Sequence, residues 1–128
     1  NIEIPAQSVN NVVDILNYKN KFDVIAIDEA QFFSNDIVSV CNELADSGIR
    51  VIIAGLDMDY SGKPFGPMPY LMAIAEEVIK VHAICSDTGN PALYSYRKLK
   101  NKDVVMLGKK DEYEPLSREA FILKMKKK

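Results

Sequence analysis

Residues 22–29, FDVIAIDE, form an almost continuous apolar run that ends in two acids, Asp28 and Glu29. The apolar part, Phe22–Ile27, is typical of a strand that is buried on both faces in a parallel sheet. A second run of the same kind, Val51–Leu56, is also followed by acidic residues. Ligands of open α/β sheets bind beyond the carboxyl ends of the strands, so these acids are the first candidates for a functional site.

The segments around these runs have the spacing of amphipathic helices. We expect one helix over residues 8–18 with Ser8 as its N-cap, and a second that ends before a cap glycine, Gly48. A third helix follows the Gly/Pro-rich residues 61–69 and leads to a third strand, Val81–Cys85. The apolar positions of the three helices are Val9, Val12, Val13 and Leu16, then Ile37, Val40, Cys41 and Leu44, then Leu71, Ile74, Ala75 and Val78. Strands that alternate with helices in this way predict an α/β fold with a parallel sheet.

The character of the sequence changes near residue 83. Leu93–Leu99 and Val104–Leu107 are expected to pair as a β-hairpin, and residues 116–128 are expected to be helical. We therefore expect an α/β core over residues 1–82 and a small second subdomain over residues 83–128.

Composition narrows the class of protein. The 128 residues carry a formal net charge of −2, so no overall field attracts nucleic acid or an anionic membrane. Two cysteines are too few for a disulfide framework, which makes a reducing compartment the default. No apolar run approaches the ~20 residues of a membrane span. We expect a soluble, cytoplasmic protein, and the start at Asn1 rather than Met leads us to expect part of a longer sequence.

The acids after the first strand have a chemical interpretation. An aspartate at the end of an apolar strand can hold Mg²⁺ beside nucleotide phosphates, directly or through water, which is the arrangement expected of Asp28. The adjacent Glu29 can then act as general base on an attacking hydroxyl. Because side chains alternate along a strand, the two acids can divide these tasks. The alternative is that both merely end a strand and cap its turn.

Two blocks of sequence together resemble a known family. Residues 23–33, DVIAIDEAQFF, and residues 54–69, AGLDMDYSGKPFGPMP, resemble the thymidine kinases of the cytosolic, P-loop type, and the likeness runs through residues 22–121. The resemblance implies a P-loop NTPase-like (RecA-like) parallel core with a small C-terminal β-hairpin, called the lasso. It also implies an Mg²⁺-dependent transfer of the ATP γ-phosphate to the 5′-hydroxyl of thymidine by a homotetramer.

The resemblance assigns a role to each residue of these blocks. Glu29 becomes the base for the 5′-hydroxyl, Asp28 holds the metal, and Gln31 shapes the nucleotide site. Leu56 lies near the thymine 5-methyl group. The aromatic residues expected to pack around the base and sugar are Phe32, Tyr60 and Phe65. Flat aromatic faces suit a flat base, although each of these side chains could instead belong to an ordinary core.

The resemblance also implies a lid over the nucleoside, since the lasso reads the base largely through main-chain groups. The matching positions near the base are Ser95, Val104, Met106 and Tyr113. A closed lid excludes water, so that ATP is transferred to the nucleoside rather than hydrolysed.

The sequence departs from the family pattern at the base of the lasso. Many members hold a zinc ion there with four ligands in two pairs, which here read Cys85-Ser86-Asp87-Thr88 and Ser117-Arg118-Glu119-Ala120. Only Cys85 remains, and one thiolate cannot build a tetrahedral site. The single histidine, His82, lies an odd number of residues from Cys85, which on a strand points the side chains to opposite faces. We expect no structural zinc, with apolar packing and the C-terminal helix holding the lasso base instead.

The phosphate-binding motif G-x-x-x-x-G-K-S/T does not occur in these 128 residues. In the family it precedes the segment seen here, so we expect a fragment of a full kinase that is inactive alone. Two other interpretations remain open. Residues 28–31 also spell a helicase-type D-E-A-Q box, and the chain could be a nucleoside-binding module without catalysis.

Overall fold

A computed structural model of the chain describes residues 4–98 and 112–127. The chain forms two compact units. The first comprises Asn1–Leu56 and Gly66–Glu76, and the second comprises Asp57–Phe65 and Glu77–Lys128. The boundary expected at residue 83 stays a prediction. Along the described stretches, every helix is too short or too polar to cross a membrane.

The first unit contains the predicted parallel strand pair. Strand β1, Val24–Ile27, pairs with strand β2, Arg50–Ile53, in parallel register. Helix α1, Asp36–Asp46, connects them, and the four apolar positions of its predicted face are all buried. Gly48 follows the helix with φ +85°, the left-handed conformation expected of a cap glycine. The mixed α/β character of the fold is therefore confirmed.

The prediction that both strands are buried on two faces is wrong for the described structure. On one face, Ile27 is buried in the core, and Ile25, Val51 and Ile53 pack against it. On the other face, Val24 is 49% exposed and Ile52 is 48% exposed. Among the residues described in this unit, the helices add their apolar side chains to the core on the first face only.

The first helix differs from its predicted form. It is a 3₁₀ helix over Val12–Tyr18, and its N-cap is Asn11 rather than Ser8, with Asn11 Oδ1 accepting the Val13 N–H at 3.1 Å. A 3₁₀ helix repeats every three residues, which places Val12 and Ile15 together on the buried side. For the same reason Val13 is 51% exposed, although it was expected on the apolar face.

The third predicted helix is shorter than expected. Helix α2 is Met68–Ile74, with Pro69 in its first turn, where a missing N–H costs no helical hydrogen bond, and it buries Leu71. The backbone turns extended at Ala75, so the predicted continuation to Val78 is wrong. Acidic residues follow at positions 76 and 77, where their charges oppose the helix dipole.

The second unit contains short antiparallel pairs. Strands β3 and β4, Ala83–Ile84 and Pro91–Ala92, pair across a turn that contains Gly89 at φ +71°. The parallel strand predicted over Val81–Cys85 is therefore wrong, because this turn folds the chain back so that the Cys85 N–H donates to the Asn90 carbonyl at 2.8 Å.

The rest of the second unit is a strand pair and a helix. Strand β5, Tyr94–Arg97, pairs with strand β6, Tyr113–Leu116, and the proposed partner Val104–Leu107 lies outside the described residues. Helix α3, Arg118–Lys126, confirms the predicted C-terminal helix and is capped by Ser117. The buried core of the second unit consists of Cys85, Ala92, Tyr94, Leu116, Ala120 and Phe121.

Candidate active site

The two acids after β1 are exposed and sharply turned. Glu29 has φ 53° and ψ 39°, a left-handed conformation that non-glycine residues seldom adopt, and it begins a short 3₁₀ turn, Ala30–Phe32. Its N–H donates to Asp28 Oδ1 at 2.8 Å. Strand β1 ends at Ile27, so the strand alternation used to separate Asp28 from Glu29 does not apply here. An uncommon conformation at an exposed acid is typical of functional sites, where the surrounding structure imposes it.

Gln31 connects this turn to the end of β2. Its side chain is 3% exposed. Nε2 donates to Glu29 Oε2 at 2.5 Å, and Oε1 accepts the main-chain N–H of Leu56 at 3.0 Å. Nearby, the Ala30 N–H donates to the Ala54 carbonyl at 3.0 Å. The two strand ends are thus joined by side-chain and main-chain hydrogen bonds.

Two glycines that the sequence analysis did not single out enclose Gln31. A Cβ at Gly55 would lie 2.7 Å from Gln31 Oε1, and one at Gly66 would lie 2.3 Å from the Gln31 main-chain oxygen. Gly66 also has φ +49°. Glycines in a loop after a strand are the only sequence signal for these positions, and they indicate close backbone approach without naming the partner.

Phe32 and Leu56 are both exposed apolar side chains of the first unit. Phe32 is 54% exposed and Leu56 is 49% exposed. Neither is an ordinary core residue, which was the alternative interpretation. Exposed apolar groups near an acid are suited to contact a ligand with an apolar face.

In the loop of residues 57–65, which belongs to the second unit, the acidic residues accept hydrogen bonds from the loop itself. Asp59 Oδ1 accepts hydrogen bonds from the Ser61 N–H at 2.8 Å, the Ser61 hydroxyl at 2.7 Å and the Lys63 N–H at 3.1 Å. Asp57 pairs with Lys80 at 2.8 Å, and its carbonyl accepts the Phe65 N–H at 3.0 Å. Strand β2 ends at Ile53, so these acids are not strand-end groups like Asp28, and they stabilise the loop.

Arg97 brings together two of the predicted nucleoside-binding residues. Its side chain is 1% exposed, and its guanidinium carbon lies 3.9 Å from the ring centre of Tyr60 and 5.5 Å from that of Tyr113. Nη2 also donates to the Tyr113 hydroxyl at 3.0 Å. Ser95 lies half-buried two positions earlier on β5. Val104 and Met106 lie outside the described residues.

Arg97 was missed by the sequence analysis. A buried guanidinium between aromatic rings is stabilised by cation–π attraction and fixes both rings. The only sequence signal was an arginine at the end of the run Tyr94–Arg97, in a strand that is otherwise aromatic and small.

The base of the second unit is a polar cluster around Cys85. The thiol is 2% exposed, and the Thr88 and Ser117 hydroxyls lie 3.4 Å apart. Burial raises the pKa of Cys85, but hydrogen bonds from the Thr88 hydroxyl and from the N–H groups of Ser117, Thr88 and Asp87 outweigh it and lower the pKa to about 6. The Ala120 N–H donates to Ser117 Oγ at 3.4 Å.

A second set of polar contacts surrounds this cluster. Lys124 lies 2.8 Å from Glu114 and 3.2 Å from Asp87, and the Ser86 hydroxyl donates to Glu114 at 2.7 Å. The hydrogen bond from Lys124, followed by that from Ser86, lowers the pKa of Glu114, and the same contact with Glu114 raises the pKa of Lys124. Within the described ranges, no three His, Cys, Asp or Glu side chains group closely enough to hold a metal.

Comparison with known proteins gives a consistent family. The model of the thymidine kinase family matches residues 1–121. The thymidine kinase of Bacteroides thetaiotaomicron is 53% identical over 119 residues, which cover 93% of this chain and 60% of the relative. That of Porphyromonas gingivalis is 50% identical over 118 residues, which cover 92% of this chain and 58% of the relative. The chain thus spans about three fifths of the length of these curated relatives.

The close approach of Gly66 to Gln31 predicts that two glycine substitutions lower the free energy of unfolding by different amounts. Gly48→Ala meets no atom within 4 Å and should cost only the left-handed strain, about 1–2 kcal/mol. Gly66→Ala carries similar strain and also clashes with the Gln31 carbonyl, so it should cost at least about 1 kcal/mol more. Urea unfolding followed by circular dichroism measures both. Equal losses of unfolding free energy would show that the close approach to Gln31 is not present.

Proposed function

We propose, because the chain belongs to the thymidine kinase family, that it supplies the catalytic base and the nucleoside-binding residues of a kinase that phosphorylates thymidine. The reaction moves the γ-phosphate of ATP to the 5′-hydroxyl of thymidine and yields thymidine monophosphate and ADP. The observation that carries the proposal is Glu29, an exposed carboxylate held in a left-handed turn at the end of β1.

Glu29 is proposed to act as the general base. As the 5′-oxygen bonds to the γ-phosphorus, its proton passes to the Glu29 carboxylate, and the bond from the γ-phosphorus to the bridging oxygen of ADP breaks. One oxygen of the Glu29 carboxylate, Oε2, accepts a hydrogen bond from the buried Gln31 amide. The other oxygen is proposed to accept the proton of the 5′-hydroxyl. Exposure of Glu29 gives a substrate access to it.

Asp28 is proposed to hold Mg²⁺, directly or through water. Its exposed carboxylate has the oxygen donors that this ion prefers, so the residue fits the role. When bound, the ion neutralises charge on the nucleotide phosphates.

The nucleoside is proposed to contact apolar and aromatic side chains. Phe32 and Leu56 support this by their exposure, and Tyr60 and Tyr113 by their shared contact with Arg97. The further residues proposed to contact it are Phe65, Ser95, Val104 and Met106.

The ATP phosphates are proposed to bind a glycine-rich loop that these 128 residues do not contain. Two observations support this. The chain spans about three fifths of the length of its relatives, and the face of the sheet with Val24 and Ile52 is half-exposed, ready to be covered by further elements. A P-loop NTPase-like core, a homotetramer and a cytoplasmic location are parts of the same proposal. The helicase interpretation is not proposed, because the match to the thymidine kinase family covers residues 1–121.

The proposal predicts that residues 1–128 catalyse the reaction only together with the part that holds the phosphate-binding loop, and that catalysis depends on Glu29. The complete kinase is defined here as residues 1–128 joined to the part of the Bacteroides thetaiotaomicron thymidine kinase that the match leaves out. It should phosphorylate thymidine with ATP, and residues 1–128 alone should not. In the complete kinase, Glu29→Gln should lower kcat about 100- to 10,000-fold with little change in the KM for thymidine, because it removes the base but keeps the shape.

Steady-state assays with radiolabelled thymidine measure these values. Turnover by residues 1–128 alone would refute the assignment of phosphate binding to an outside loop. A complete kinase that binds thymidine but does not phosphorylate it would favour a nucleoside-binding module without catalysis.

We further propose that the second unit needs no structural zinc. The four positions at its base hold one thiol, two hydroxyls and a methyl group, which do not fit a tetrahedral site of sulfur and nitrogen ligands. The hydrogen bonds among Cys85, Thr88 and Ser117 support the alternative, with Lys124 and its two acidic partners around them. This extends the expected stabilisation by apolar packing and helix α3 to include a polar network.

Metal analysis tests the zinc proposal. The purified chain should contain far less than one zinc per molecule. A variant that combines Thr88→Cys, Ser117→Cys and Ala120→Cys restores four thiols and should take up one zinc. Stoichiometric zinc in the unsubstituted chain would contradict the proposal.

A further inference from the structure

We infer that Gln31 is a positioning residue that sets the orientation of Glu29 for proton abstraction, rather than a residue that contacts ATP or thymidine. The inference rests on the proposed function, since it assumes that Glu29 is the base. Loss of Gln31 should therefore lower kcat, which reports the chemical step, and leave the KM values of the substrates nearly unchanged.

The direction of the Gln31 amide is dictated by its neighbours. The main-chain N–H of Leu56 can only donate, so the side-chain oxygen of Gln31 must face it, at 3.0 Å. The side-chain nitrogen is therefore turned toward Glu29, where it donates to Oε2. A glutamine turned the other way would leave two donors opposed at Leu56 and two acceptors opposed at Glu29.

The Gln31 side chain has no room to move. It is 3% exposed, a Cβ at Gly55 would lie 2.7 Å from its Oε1, and Gly66 packs against the main-chain oxygen of the same residue. The hydrogen bond from Ala30 to Ala54 holds the turn at the same place. Because the donor is fixed, the carboxylate that binds it is fixed as well.

Glu29 needs this support because nothing else described in its unit holds its carboxylate. The side chain is exposed, and an exposed glutamate samples several rotamers in water. A general base must lie within hydrogen-bond reach of the proton that it takes, and small displacements are costly. Burial also argues against direct contact between Gln31 and a ligand, since an amide that is 3% exposed presents little surface to a nucleotide.

The experiment uses Gln31→Glu in the complete kinase. The substitution keeps the size and the oxygen that accepts from Leu56, but it replaces the donor to Glu29 by a second carboxylate oxygen, which repels it. We expect kcat to fall about 100-fold, with the KM values for thymidine and ATP nearly unchanged, and the melting temperature to fall because the substitution buries an unpaired charge.

Two further variants separate positioning from other effects. Gln7→Glu is the matched control, because it makes the same chemical change at the exposed partner of Tyr18 and should keep the parent kinetics. Gln31→Met removes both hydrogen bonds without adding charge and should also lower kcat, even if the first variant folds poorly.

A double-mutant cycle gives the decisive comparison. If Gln31 acts only through Glu29, adding Gln31→Glu to Glu29→Gln should lower kcat no further. Multiplicative losses in the double variant, or a raised KM for ATP at unchanged kcat, would overturn the inference. If the unsubstituted complete kinase fails to phosphorylate thymidine, the proposed function itself fails, and the positioning role fails with it.

Discussion

The first unit depends on a side-chain bridge between the ends of its two parallel strands. The Gln31 amide joins Glu29 after β1 to the Leu56 N–H after β2, and it is buried while doing so. A buried amide is costly unless both of its ends are paired, so the bridge constrains everything around it. It requires glycine at positions 55 and 66, and it fixes the left-handed turn that presents Glu29 to solvent.

The second unit depends on a different constraint, a polar network in place of a larger apolar core. Arg97 is buried between Tyr60 and Tyr113, and Lys124 connects β6 and helix α3 to the turn at Asp87. The stacked rings of Tyr94 and Phe121, with centres 4.4 Å apart, supply part of the apolar contact. Small units of this size bury little apolar surface, so specific polar contacts take a larger share of their stability.

Much of the first unit could be predicted from the sequence because its signals are local. Apolar runs predicted β1 and β2, helical spacing predicted α1, and a glycine after the helix predicted the cap at Gly48. The misjudged elements were decided by local caps and turns that apolar spacing does not show. The cap moved to Asn11 and the helix tightened to 3₁₀, and the turn at Gly89 converted an expected parallel strand into a short antiparallel pair.

The candidate site divides in the same way. Asp28 and Glu29 were located from the end of an apolar run, and residues 1–121 match the family that their motif indicated. The contacts of Gln31 with Leu56 and of Arg97 with Tyr60 could not be predicted, since they join residues far apart in sequence. No local pattern encodes which amide end faces which neighbour.

A crystal structure of the complete kinase with thymidine bound tests most directly whether Glu29 is the base. One Glu29 carboxylate oxygen should lie about 2.6–3.2 Å from the 5′-hydroxyl oxygen, while the other still accepts from Gln31. A nucleoside whose 5′-hydroxyl lies out of reach of Glu29, with another side chain beside it, would contradict the assignment.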